Sequence, residues 1–133
     1  MRAKIQLEIV TPDKLLFTGE VDEVTVPGAG GYFGILPGHA PLLSELKIGV
    51  LSYHQNGEEK RLFCSWGFVE VLPESVSVLA EQALSPQDID EDQAEIDRDK
   101  AQQILQSPQA DTDYAQALSA FEEARTRLQV CRD

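Results

Sequence analysis

All nine glycines of the chain lie at or before Gly67, and after Leu84 the only valine is Val130. Glycine suits turns and valine suits extended backbone, and both form helices poorly, so the chain changes structural character in its middle eighties. In the first part Ile5, Leu7 and Ile9 alternate with Lys4, Gln6 and Glu8, the period of two expected when one face of a strand is buried. Val24 and Val26 repeat that pattern. Two β-rich runs, 48–53 and 61–71, are joined through Asn56-Gly57, a pair suited to a type I′ turn whose central residues both take positive φ. A further strand over 75–80 places Val76, Val78 and Ala80 on one face. Strands this short, separated by Gly and Pro, predict an antiparallel β-sandwich or flattened barrel over residues 1–84.

The second part, residues 85–133, predicts an antiparallel two-helix hairpin. Asp90 is a suitable N-cap with Gln93 at the spacing of a capping box, and the helix is expected to run to about Leu105. Ser107-Pro108 interrupts it. Asp113 and Gln116 repeat the cap spacing, and Tyr114, Ala117, Leu118, Phe121, Arg125 and Leu128 then form an i, i+3, i+4, i+7 stripe, expected to be the apolar face. The first helix offers a thinner seam, Ile89, Ile96, Ile104 and Leu105, among seven acids between Asp88 and Asp99. Helices of this length draw their stability from packing, which makes the hairpin a candidate moving part.

Chemistry is sparse. His39 and His54 have no metal-type spacing, Ser44 and Ser65 lack a nucleophile-elbow context, and Cys64 with Cys131 completes no zinc pattern. The run from Gly28 to Gly34 is glycine-rich but is followed by Ile35-Leu36-Pro37 in place of a helix start and lysine, so it reads as a loop and not as a phosphate cradle, either a flexible rim presenting Tyr32 and Phe33 to a partner or a strand connection whose aromatics fold back into the core. The acids of 88–99 lack the order of a calcium loop. A net charge of −12 argues against nucleic acid and against docking directly on an anionic lipid surface. No apolar run is long enough to span a membrane, so a soluble, unprocessed chain is expected. The segment Gly34-Ile35-Leu36-Pro37-Gly38-His39-Ala40-Pro41-Leu42-Leu43 is apolar and stiffened by two prolines, a corner suited to touching another surface.

That segment, with Val10-Thr11-Pro12-Asp13, Trp66-Gly67-Phe68-Val69-Glu70-Val71, Val78-Leu79-Ala80-Glu81 and Asp113-Tyr114-Ala115-Gln116-Ala117 in the same order, resembles the ε subunit of F-type ATP synthases over the whole chain. The resemblance implies a β-sandwich that binds the γ subunit and the ring of c subunits in the rotating stalk and couples ion flow to ATP synthesis. It also implies a helical hairpin that can extend to the α/β catalytic head and inhibit hydrolysis. Carried over, partner contacts fall on Gly30, Gly31, Tyr32, Phe33, Gly34, Ile35, Pro37 and His39, and the inhibitory helix carries Arg125 and Arg127. Some relatives bind ATP through a motif I/L-D-x-x-R-A, which here reads Ile89-Asp90-Glu91-Asp92-Gln93-Ala94, with glutamine for arginine and Glu123 where a second base is usual. Asp90, Gln93, Ala94 and Arg127, with Glu81 and Lys100, are therefore expected to form a degenerate site with little ATP affinity. The resemblance implies no catalytic residue, no metal, no cofactor, and a peripheral place on the cytoplasmic side of a bacterial plasma membrane, or alternatively on a thylakoid or mitochondrial inner membrane. Two other classes, a free-standing nucleotide-sensing module and a small enzyme, require a closed ligand site or a deep polar pocket.

Overall fold

A computed structural model describes residues 3–107 and 109–132. Eight strands come first: β1 (Ile5–Val10), β2 (Leu15–Val21), β3 (Glu23–Gly28), β4 (Gly31–Ile35), β5 (Leu42–Leu46), β6 (Gly49–Gln55), β7 (Glu58–Val71) and β8 (Ser75–Leu84). They are hydrogen-bonded in the order β2-β1-β8-β7-β5-β3-β4, and β6 bridges β3 and β7, so that the sheet folds over on itself as a sandwich. Alternation puts Ile5, Leu7 and Ile9 of β1, Val24 and Val26 of β3, and Val76 and Val78 of β8 inside, where each is almost fully buried. One pairing departs from the antiparallel expectation. β1 lies parallel to β8, with Leu7 beside Val76 and Ile9 beside Val78.

The long β7 explains how one sheet makes two layers. Residues Gly49–Gln55 pair with the first part of β7, whereas Leu42–Leu46 pair with its second part, from Gly67 onward. The change of partner falls at Trp66 and Gly67, whose φ values are +22° and +158°. A strand that passes from one layer to the other needs such a break in its regular pleat. The β6–β7 turn has Asn56 at φ +54° and Gly57 at φ +80°, in keeping with the type I′ geometry read from the sequence.

The glycine-rich stretch is not a loop. β3 and β4 form a hairpin with Gly28 opposite Gly31, and Ala29-Gly30 is its two-residue turn. Glycine is required at Gly28 because a Cβ there would stand 2.8 Å from the Phe33 ring. β8 is also longer than expected, continuing through Ala83 to Leu84 because β7 supplies partners as far back as Phe63.

After a 3₁₀ turn at Pro86–Asp88 come α1 (Glu91–Gln106) and α2 (Tyr114–Arg132). Asp90 caps α1 by accepting from the Gln93 amide at 3.0 Å, but the Gln93 side chain reaches forward to Asp97 at 2.8 Å, leaving the reciprocal half of the capping box unformed. Asp113 caps α2 from the Gln116 amide at 3.1 Å. The buried seams match the expected ones only in part, at Ala117 and Leu128. α1 buries Ala94 and Ala101 and leaves Ile96 and Ile104 exposed; α2 buries Ala117, Ala124, Thr126, Leu128 and Val130 and leaves Tyr114 and Leu118 exposed. Alanines seven apart on both helices let the two backbones approach closely, and larger side chains would hold them apart.

α2 leans on the sandwich through a small second cluster. Along β7, Leu62 and Cys64 belong to the sandwich core, while Phe63, from the opposite face, joins Ile48 and Val130 under the helix, with Val50, Leu84 and Ile89 at the margin.

Candidate functional site

The residues expected to meet partners do not form one surface. In β4, Tyr32 and Gly34 point outward, whereas Ile35 is buried and Phe33 packs against the main core. Ile35 is thus withdrawn from contact and Phe33 is half-buried against the core, a direct result of strand alternation. Gly30 and Gly31 lie at one end of β4 and Pro37 and His39 beyond the other, roughly 13 Å apart along the strand at about 3.3 Å per residue. At the glycine end a Cβ on Gly30 would meet nothing within 4 Å, so the turn presents bare backbone. At the other end the corner is tied down: the Gly38 amide donates to the Pro73 carbonyl at 2.8 Å, and His39 Nδ1 lies 2.7 Å from the Ala40 carbonyl oxygen. Leu36, Leu42, Leu43 and Leu72 are all exposed around this corner.

A second apolar surface escaped the sequence reading. Leu15 sits opposite Val10, Val10 beside Leu79, and Leu79 opposite Phe68, giving a continuous row across four strands on the outside of the sandwich. Val10, Leu79 and Phe68 of this row, with Trp66 and Pro12, line a shallow cleft of about 520 Å³. Leu15 is 53%, Leu79 52%, Phe68 49% and Trp66 47% exposed, although the fold leaves most apolar residues of these strands covered. A contiguous apolar patch of this kind on a soluble domain marks an interaction surface. Its signal was present: Trp66, Phe68 and Leu79 occupy the outward phase of strands whose inward phase is already filled by Val69, Val71, Val78 and Ala80.

The residues of the degenerate nucleotide motif are dispersed. Asp90 serves as helix cap, Gln93 is exposed, and Ala94 is sealed between the helices. Arg127 lies against the sandwich, its Nη2 donating to Gln82 Oε1 at 2.8 Å and its guanidinium 4.7 Å from the centre of the Phe63 ring. It also borders an interhelical groove of about 590 Å³ with Lys100, where Asp97, Asp111, Asp113 and Glu123 outnumber the two cations. Such a groove repels a polyphosphate. Millimolar ATP is expected to give no calorimetric binding that Arg127→Gln abolishes, whereas the pair Gln93→Arg and Glu123→Arg should create such binding; an Arg127-dependent isotherm in the unaltered chain would refute this.

Arg125 is exposed on α2, its guanidinium 5.7 Å from the Phe121 ring. Burial pushes the Cys64 thiol up to about 12, so it stays neutral at ordinary pH. Among the described residues no three His, Cys, Asp or Glu side chains gather as a metal site, and no helix is long and apolar enough to cross a membrane.

Residues 4–86 match the β-sandwich domain of the ATP synthase delta/epsilon chain, and residues 87–132 match the long α-helix domain of the same chain. A curated ATP synthase epsilon chain of Koribacter versatilis is 49% identical over 107 residues, 80% of this chain and 75% of that one. The epsilon chain of Nitratidesulfovibrio vulgaris is 45% identical over 130 residues, 98% of this chain and 97% of its own. The fold is shared with a chain in the cryo-EM structure of the Euglena gracilis mitochondrial ATP synthase F1 and c-ring assembly, at a TM-score of 0.82 and 24% identity over 93% of this chain and 79% of that one.

Proposed function

Since this chain belongs to the ATP synthase delta/epsilon family, in its epsilon branch, we propose that it is a non-catalytic subunit of the rotating central stalk, gripping the γ subunit and the ring of c subunits with its sandwich and restraining ATP hydrolysis with its hairpin. The observation that carries this reading is the apolar row Leu15, Val10, Leu79 and Phe68 with Trp66, a surface that the fold itself does not use. A stalk subunit held between γ and a membrane ring needs at least two contact faces. The apolar row and the leucine corner near Pro37 and His39 supply one kind, suited to a packed protein interface. The bare turn at Gly30 and Gly31 supplies another, where backbone can approach polar loops closely. Membrane association is then peripheral, through the complex, on the cytoplasmic face of a bacterial plasma membrane.

The hairpin is proposed as the regulatory element, bounded by Leu84 on the sandwich side. In the docked position Arg127 is spent on Gln82 and Phe63, so its action on the α/β head requires release of α2. Arg125 needs no such release, being exposed already. The test is ATP hydrolysis by the cognate α, β and γ assembly, with the full chain and with a version ending at Leu84. Both versions should co-purify with γ, and only the full chain should inhibit. Failure of both to bind would reject the stalk assignment, and binding of both without inhibition would reject the hairpin's role alone.

A further inference from the structure

We propose that the cleft between the outer face of the sandwich and α2, floored by Gly49 and bordered by Tyr32, Lys47 and Arg125, is a binding site for a compact phosphate-bearing anion. This does not rest on the stalk assignment. The cleft has a volume of about 500 Å³. Its charged side chains are Lys47, Arg61 and Arg125 against the single carboxylate Glu122, a local excess of positive charge in a chain whose net charge is −12.

Of the cleft's own cations, Arg61 is paired with Glu59, 2.7 Å away and outside the lining. Lys47 and Arg125 form no ion pair with a described residue, a state they share with Lys14, Lys100 and Arg127. Lys47 from the sandwich and Arg125 from the helix border the same cleft, and an anion bound between them is attracted by both.

The remaining walls offer hydrogen-bond donors. Thr25, Ser52 and Thr126 contribute hydroxyls. Tyr32 is held in place: its hydroxyl oxygen accepts from the Val50 amide at 2.9 Å, which leaves its proton to give, and a Cβ on Gly49 would stand 2.6 Å from that oxygen. Ile48 and Val50 are the only aliphatic side chains in the lining, too little apolar surface to hold a nucleobase well. The site therefore suits phosphate or pyrophosphate better than a nucleoside. It differs from the interhelical groove, which opens beside Arg127 and Lys100 and is acidic.

Because one wall belongs to the sandwich and the other to α2, a bound anion stabilises the docked hairpin by mass action. Calorimetric titration of the full chain with pyrophosphate at roughly 0.1 M ionic strength is expected to show saturable one-site binding. Lys47→Gln and Arg125→Gln should each weaken it at least tenfold, and Arg98→Gln, remote from the cleft, should leave it within twofold. Protection of the 85–90 connection from proteolysis should rise with pyrophosphate in the unaltered chain and not in Arg125→Gln. The proposal is overturned by absence of saturable uptake, by binding that survives both cleft substitutions, or by an equal loss in Arg98→Gln, which would mean a general charge effect. Binding lost in Arg127→Gln and kept in Arg125→Gln would place the anion in the interhelical groove and overturn it as well.

Discussion

Gly67→Ala is expected to lower the stability of the sandwich by on the order of 4 kcal/mol, at the severe end for a single substitution, and in practice to prevent accumulation of folded protein. Gly67 stands where β7 exchanges β6 for β5 as its partner, at a φ of +158° that side chains rarely adopt. A Cβ there would overlap the carbonyl oxygen of Leu79 and come within 2.9 Å of Ala80 Cα. These are backbone atoms of the adjoining strand, so relief requires β7 and β8 to part at the pairing that carries both layers. Gly30→Ala provides the contrast, since its Cβ would enter open space; it should change stability by no more than about 0.5 kcal/mol. Chemical denaturation of the two variants checks this, and comparable midpoints would show that the bend at Trp66 and Gly67 is not needed.

Val130→Asp should detach the hairpin while leaving the sandwich folded. Val130 is 3% exposed and packs with Ile48 and Phe63 in the small cluster beneath α2, separate from the main core. Burying a valine contributes roughly 2 kcal/mol, and forcing an unpaired carboxylate into the same place adds a desolvation cost of similar or larger size. The other ties are weak: exposed ion pairs from Arg132 to Glu91 and Glu95 join helix to helix, and among the described residues Arg127 with Gln82 is the polar side-chain contact between α2 and β8. Amide exchange should therefore rise at least tenfold throughout α2 and stay unchanged in β1 and β8. If the hairpin is the inhibitory element, the same variant should inhibit hydrolysis more strongly than the parent, because its resting position has been removed. Exchange that rises equally in both parts would mean that helices and sandwich unfold as one unit.

The layout of the chain was readable wherever one physical signal dominated. Alternation in β1 and in Val76-Ser77-Val78, the positive-φ pair Asn56-Gly57, and the caps Asp90 and Asp113 depend on neighbours in sequence. What escaped depends on neighbours in space. β2 carries Gly19 in its middle and no clean alternation, and it is a strand because β1 lies alongside it. The glycines of 28–34 signalled a loop, yet Gly28 sits in a strand pair, where its missing side chain leaves room for the Phe33 ring. In the helices, size misled: isoleucines and a tyrosine seemed the natural seam, whereas close helix packing selected Ala94, Ala101, Ala117 and Ala124 and turned Ile96, Tyr114 and Leu118 outward. The apolar row was hidden because Leu79 in β8 and Trp66 and Phe68 in β7 are isolated apolar residues in the outward phase of strands whose inward phase is also apolar, and only the assembled sandwich brings them side by side.

The parallel pairing of β1 with β8 orders events in time. β1 occupies the interior of the sheet between β2 and β8, so the inner faces of Ile5, Leu7 and Ile9 have no complete cover until the last strand of the domain exists. Closing so long a stretch of chain carries an entropic penalty that no local hairpin relieves, and sheets assembled from distant segments form slowly. During synthesis the first-made hairpin therefore waits for Ser75–Leu84 to emerge before the sandwich can close. The helices, made last, arrive to find the surface they rest on already built.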